Sequence, residues 1–207
     1  MGSHELKTKA LEQLKGRWGV AIAVSLVASL LMNLIKFNKR IPLEIIPTLS
    51  ISLSLLNLIL GGVLSAGKAK FFLTLKVNKE SALFSDLFSQ FNNFLKATGL
   101  YLLISLFTFL GILLLIIPGI IVIYMYSQSF YILAENPEKS VTECMYESRQ
   151  LMKGHKFDLF CVQISFIGWI ILGVISFGIG LLWVSPYMDA TFANFYSSLK
   201  EEIGTNL

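Results

Sequence analysis

From Ala97 to Ala134 the chain runs for 38 residues without a charged side chain, and no other feature limits its fold so tightly. As one helix that stretch would be about 57 Å long, against a hydrocarbon layer of about 30 Å, so it must fold back. Pro118 and Gly119, inside "LLLIIPGIIVIY", predict the bend, because proline interrupts the helical hydrogen-bond ladder and glycine accepts a turn. The same reasoning applied from Phe157 to about Leu199 places a second bend at Gly178 and Gly180, in "SFGIGLLW". Nearer the start, apolar runs at Trp18–Ile35 and from about Ile45 to Gly67 flank the basic loop "KFNKR", with Pro47 near the turn. Composition agrees: 55% hydrophobic and 14% charged residues and a mean hydropathy of +0.69 lie far from a soluble domain. The expected fold is all-α, a polytopic transmembrane bundle of about six spans in three helical hairpins. It forms a single integral membrane domain over 1–207, with units at about 1–76, 77–136 and 137–207. The polar character of "SPYMDATFANFY" leaves a five-span version open. The first run reads as a retained span, since no convincing small-residue cleavage site follows it.

Charge placement gives the orientation. With the N-terminus inside, 14 lysines and arginines fall in inner segments and only Lys36, Lys39 and Arg40 in outer ones. That asymmetry predicts a multi-pass protein of the cell membrane with both termini in the cytoplasm. The net charge of +4 is too small to suggest a nucleic-acid surface.

A polar helix precedes each predicted hairpin. Val141, Cys144, Met145, Ser148, Leu151 and Met152 recur at helical spacing with charges mostly elsewhere around the helix, and Ser140 with Glu143, or Asn136 with Pro137, would cap its start. Leu83, Phe84, Leu87, Phe88, Phe91 and Leu95 form a similar stripe, as do Leu6, Ala10 and Leu14. Each stripe ends in lysine and a small residue, at Lys15-Gly16, Lys96-Ala97 and Lys153-Gly154. The expected unit is therefore an amphipathic helix on the cytoplasmic membrane surface, a junction, a span, a turn and a returning span, repeated three times. His155 and Lys156 fall in the third junction. There His155 reads as an interfacial residue, because a histidine between lysines lacks the carboxylate or second ligand that a base or a metal needs.

Aligning the units on their turns places Asn57, Gln128 and Asp189 nine residues further on. Nine helical residues rise about 13.5 Å, close to mid-bilayer, where a polar side chain needs a partner or water. These positions are either hydrogen-bonded glue between helices or the lining of a central cavity. Glu135, near the inner interface, is expected to pair with a lysine of a neighbouring junction. Cys144 and Cys161 have no metal-ligand spacing, and motifs for hydrolysis, phosphate binding or intramembrane acid pairs are absent. Neither an enzyme nor a cofactor is expected.

Several blocks resemble a known family: "ESRQLMKGHKFDLF", "SFIGW", "GIGLLW", "PYMDATFANFY", "LLIIPGI" and the opening "ELKTKALEQLKGRWG" are similar to the bacterial integral membrane family called domain of unknown function 975. The resemblance covers nearly the whole chain and implies a multi-span membrane protein with no established catalytic residues to carry over. Two functional classes remain. One is a non-enzymatic scaffold or accessory subunit that meets anionic lipid at the cytoplasmic face, or a membrane protein partner or second copy. The other is a small transporter or export and immunity factor for a lipid-like or peptide substrate. The first is preferred because the sequence displays no unwound mid-span segment and no intramembrane charge pair.

Overall fold

The structure, a computed structural model, describes residues 2–37 and 47–205. Among these the chain is helical, with no strand: α1 (Ser3–Leu14), α2 (Trp18–Phe37), α3 (Pro47–Val77), a 3₁₀ segment η1 (Phe84–Asn93), α4 (Phe94–Leu114), α5 (Ile116–Met125), α6 (Ser129–Glu135), α7 (Val141–Leu151), α8 (Lys156–Ile164), α9 (Ile167–Ile175) and α10 (Leu181–Thr205). Three helical stretches are long and apolar enough to cross a membrane: Phe84–Leu114, Ile116–Glu135 and Lys156–Ile175. The pair Ser3–Leu14 and Trp18–Met32, bent by 106°, makes a fourth if counted as one span. The segment "SPYMDATFANFY" lies within α10, which is continuous through Pro186.

The α1–α2 bend is built on glycine. Gly16 has φ +84° and Gly154, after α7, has φ +91°, a left-handed backbone that residues with a Cβ rarely adopt. Arg17 then fixes the corner, its guanidinium donating to the carbonyls of Lys79, Glu80 and Ala82 at 2.8–3.0 Å. At the middle junction the expected break at Lys96-Ala97 is absent. Ala97 is buried inside α4, and the geometry changes earlier, at Asn93 (φ −112°, ψ 29°), where η1 runs directly into α4. The reason is steric, since alanine resists the conformation that glycine supplies at the other two junctions.

The chain folds back at two places in the described residues. The first is at Leu115, an extended residue (φ −163°) between α4 and α5, not at Pro118-Gly119 as expected. Pro118 sits in the first turn of α5, where a helix has no use for its missing N–H. Gly119 instead lets the two arms touch, because a Cβ on Gly111 would stand 2.9 Å from the Gly119 Cα. The second reversal passes through Phe177 (φ 55°) and Gly178 (φ 84°). A Cβ on Gly180 would lie 2.8 Å from the Gly173 Cα, and the Ser176 hydroxyl accepts from the Gly180 amide at 2.9 Å. Both reversals are apolar to their tips: Leu113 to Ile117 are 68–77% exposed and Phe177 is 99% exposed. Pro47 is the first residue of α3, with its side chain outside the described residues, as is the whole of 38–46.

The core joins α1, α3, α7 and α10 to the apolar helices. Leu6, Ala10 and Leu14 are fully buried, and Cys144, Met145, Ser148 and Leu151 nearly so, so α1 and α7 spend their apolar faces on the protein itself. η1 behaves differently: Leu87 and Gln90 are buried, but Leu83, Phe84, Phe88, Phe91 and Leu95 face outward. Its Leu87 backbone rests on Gly67 of α3, and any side chain there would overlap the Leu87 carbonyl.

Candidate functional site

α10 places Asp189 against two neighbours. Lys68 of α3 lies 2.8 Å from its Oδ2, and the Ser25 hydroxyl of α2 donates to the same atom at 3.1 Å. Lys68 and Asp189 are 22% and 19% exposed, so the pair lies between a surface ion pair, worth about 0–1 kcal/mol, and a buried one, where loss of a partner costs about 3–5 kcal/mol. No intramembrane charge pair is expected from the sequence; this pair joins α3 to α10. Its signal was present as two opposite charges bordering apolar runs, but nothing local couples α3 to α10.

Towards the end of α10 the polar contacts continue. Tyr196 stacks on Tyr131 with centroids 5.4 Å apart, and its hydroxyl donates to Glu135 Oε2 at 2.6 Å. Lys200 also reaches Glu135 at 2.6 Å, so the partner of Glu135 is a lysine of α10 rather than of a junction. On the other side of α10, Asn194 and Gln13 of α1 exchange two amide hydrogen bonds at 2.8 and 3.0 Å.

The apolar stretch Ile116–Glu135 is interrupted between α5 and α6, and Gln128 sits at that interruption. Its amide donates to the Ser148 hydroxyl at 3.2 Å, and that hydroxyl donates in turn to the Met125 carbonyl at 2.9 Å. A single serine of α7 thus serves both a freed acceptor and a freed donor of the break. The Gln128 side chain is 1% exposed and donates to the Ser127 hydroxyl at 2.8 Å, while Gln128 Oε1 and Ser129 Oγ have no partner among the described residues. A second break separates α8 from α9 at Ser165-Phe166. Here Lys7 of α1 donates to the Ser165 carbonyl at 2.7 Å and lies 4.1 Å from the centre of the Phe166 ring. Both breaks escaped the sequence reading because neither carries a proline; serine and glutamine next to apolar residues are compatible with an unbroken helix.

Of the three aligned polar positions, Asp189 is met by Lys68 and Ser25 and the Gln128 side chain only by Ser127, and no hydrogen bond among the described residues joins them. Asn57 lies on α3 with its side chain outside the described residues. At the junctions, Lys15 and Lys153 are exposed, while Lys96 donates to the carbonyls of Pro137 and Glu138 at 2.7 and 3.0 Å. Lys156 opens α8. Contrary to expectation, His155 has carboxylate partners: Asp158 Oδ2 lies 3.0 Å from Nδ1 and Glu202 Oε1 3.8 Å from Nε2. It ties the start of α8 to the end of α10.

α7 carries the clearest electrostatics. The Ser140 side chain accepts from the Glu143 amide and the Glu143 carboxylate accepts from the Ser140 amide, a reciprocal cap. Those bonds, the backbone one foremost, hold the Glu143 carboxyl below its ordinary pKa. The hydrogen bond to Glu147 raises Lys139 above the usual lysine value, and burial pushes the Cys144 thiol up to about 11. The Ser140–Glu143 cap and the Lys139–Glu147 pair fix the start of α7 to the loop before it.

A family model described as a protein of unknown function, DUF975, matches residues 1–123 and again 109–202. No curated protein and no solved structure matches the chain.

Proposed function

We propose, from the premise that this chain belongs to the DUF975 family of unknown function, that it is a multi-span cell-membrane protein acting without catalysis. Its role is that of a lipid-interacting scaffold or an accessory subunit of a membrane complex. In this reading the six spans form three hairpin units and both termini lie in the cytoplasm, with the orientation taken from the 14-to-3 division of lysine and arginine. The bare apolar tips at Leu115 and Phe177 then reach the outer side. The ion pairs of Lys76, Lys139, Lys200 and His155 gather on the inner side.

The observation that carries the scaffold reading is internal closure. Backbone carbonyls freed at the two breaks in the apolar helices are met by side chains of the same chain, Met125 by Ser148 and Ser165 by Lys7, and Asp189 is met by Lys68. A bundle closed in this way presents lipid with a wall. The test is reconstitution into vesicles, following fluorescent lipid and short peptide across the bilayer. The scaffold reading expects the rates of protein-free vesicles, together with anionic lipid or a partner protein retained through mild detergent. Transport that disappears in Asp189→Asn overturns it.

A second reading has its own support. Interrupted helices around an internal charge pair are the parts from which alternating-access transporters are made, and this chain has two breaks and the Lys68–Asp189 pair. Under that reading Lys7 and Ser148 are gates, and Lys7→Met or Ser148→Ala raises flux through the protein.

A further inference from the structure

At the end of the bundle where α3, α6 and α10 finish, a cleft of about 450 Å³ opens between them, within the size range of small-ligand sites. On α3 its wall is Lys70, Leu73, Thr74 and Val77, residues one helical face apart at i, i+3, i+4 and i+7. Facing them on α10 are Tyr196, with its ring buried, and Lys200. The lining mixes apolar Leu73 and Val77 with hydroxyl and charged side chains. Three lysines, Lys70, Lys76 and Lys200, stand against two carboxylates, Glu135 and Glu201.

Those five charges are not equivalent. Glu135 is held by Lys200 and by the Tyr196 hydroxyl, both at 2.6 Å, and Lys76 leans on Glu201 at 3.4 Å. Among the described residues, no hydrogen bond or ion pair is recorded for Lys70. The partial negative charge of a helix C-terminus repels an anion, but it fades within the last turn. Lys70 lies seven residues before the end of α3, about 10 Å away. The surplus cation therefore sits where the helix dipole no longer opposes it, and Leu73 and Val77 lead from it along the cleft, with Val77 86% exposed.

We propose that this cleft binds a single-chain anionic amphiphile, with its carboxylate or phosphate at Lys70 and its hydrocarbon tail along Leu73 and Val77. This rests on the lipid-interacting reading above and gives it a site and a ligand class.

The test uses the full-length protein in an uncharged detergent, with dansyl-undecanoate as the fluorescent probe. Laurate and dodecyl phosphate serve as competitors, dodecanol as the uncharged control, and alkaline carbonate extraction reports membrane integration separately. The expected result is saturable binding, displaced by both anions and at least tenfold less well by dodecanol. Lys70→Gln weakens it about tenfold, and Lys153→Gln in the exposed α7–α8 turn does not. Thr74→Trp, which fills the cleft, abolishes binding; Ser197→Trp provides the same test should that variant lose its helical circular dichroism. Competition by laurate alone assigns the site to carboxylates, and by dodecyl phosphate alone to phosphates, each supporting the inference. Dodecanol competing as well as laurate, or Lys70→Gln binding unchanged, overturns it. A folded, membrane-integrated protein that fails to bind the probe overturns this site while leaving the scaffold reading intact. A protein released by carbonate overturns that reading itself.

Discussion

α1 and α7 on one side, and η1 on the other, are written in the same amphipathic pattern but end in opposite places. The apolar residues of α1 and α7 are buried against the bundle, and their polar residues reach into it, Lys7 to the Ser165 carbonyl and Ser148 to the Met125 carbonyl. η1 buries Leu87 and Gln90 on α3 and leaves Phe84, Phe88 and Phe91 outside, 38–42% exposed. The difference originates at the junctions. Gly16 and Gly154 take a left-handed turn that lets α1 and α7 swing back onto the protein. Ala97 does not, so η1 continues from α4 with its phenylalanines facing outward. Amphipathic spacing tells that a helix has an apolar face, while the junction decides what covers it.

Truncating the two kinds of stripe exposes that contrast most strongly. Leu14→Ala, at a fully buried position, is expected to cost about 2–5 kcal/mol, whereas Phe88→Ala, 38% exposed, costs under about 1 kcal/mol. Thermal unfolding in one detergent compares them, and equal losses would erase the distinction. The junctions come next. Gly16→Ala and Gly154→Ala force alanine into positive φ at about 1–2 kcal/mol each, read as a lower melting temperature. Ala97→Gly, inside α4, costs about 1 kcal/mol from helix propensity alone, and it creates no new turn if cross-linking still finds η1 on α3.

Smaller effects distinguish the clamps. Ser148→Ala leaves the Met125 carbonyl and the Gln128 amide without their shared partner, at about 1–3 kcal/mol, and amide exchange at 125–129 rises while exchange in η1 does not. The mildest effect is the α7 cap. The Glu143 carboxyl is held below its ordinary value of 4.5 by Ser140, so its stabilisation is present above that value and is lost as pH falls through its folded one. Lys139 is raised above 10.5; its contribution is complete below that value and is lost as pH rises through the folded one. Exchange at the first turn of α7, corrected for intrinsic rates, increases on acidification below pH 4.5 and increases little in Ser140→Ala, where the cap is already gone.

Much of this organisation was legible in the residues. The charge-free run forces a reversal between α4 and α5, and Ser140 with Glu143 announces the start of α7. What stayed hidden depended on contacts between distant segments. The reversal settled at Leu115 because Gly111 and Gly119 pack face to face, so the glycine and proline serve the arms of the turn rather than its apex. The breaks at 126–128 and 165–166 exist where Ser148 and Lys7 replace lost helix bonds, partners supplied by other helices. The Lys68–Asp189 pair needed α3 and α10 side by side, and the exposure of η1 depended on a conformation that Ala97 refuses.

The most direct test of the contrast between two amphipathic helices that clamp the bundle and a third whose phenylalanines face outward is photo-labelling in nanodiscs with a lipid carrying a photoreactive acyl chain, mapped by peptide mass spectrometry. Labelling is expected on 84–95, on the apolar arms around Leu115 and on 167–183, with residues 3–14 and 141–151 left unlabelled. Labelling of those two segments as heavily as 84–95 would contradict the account.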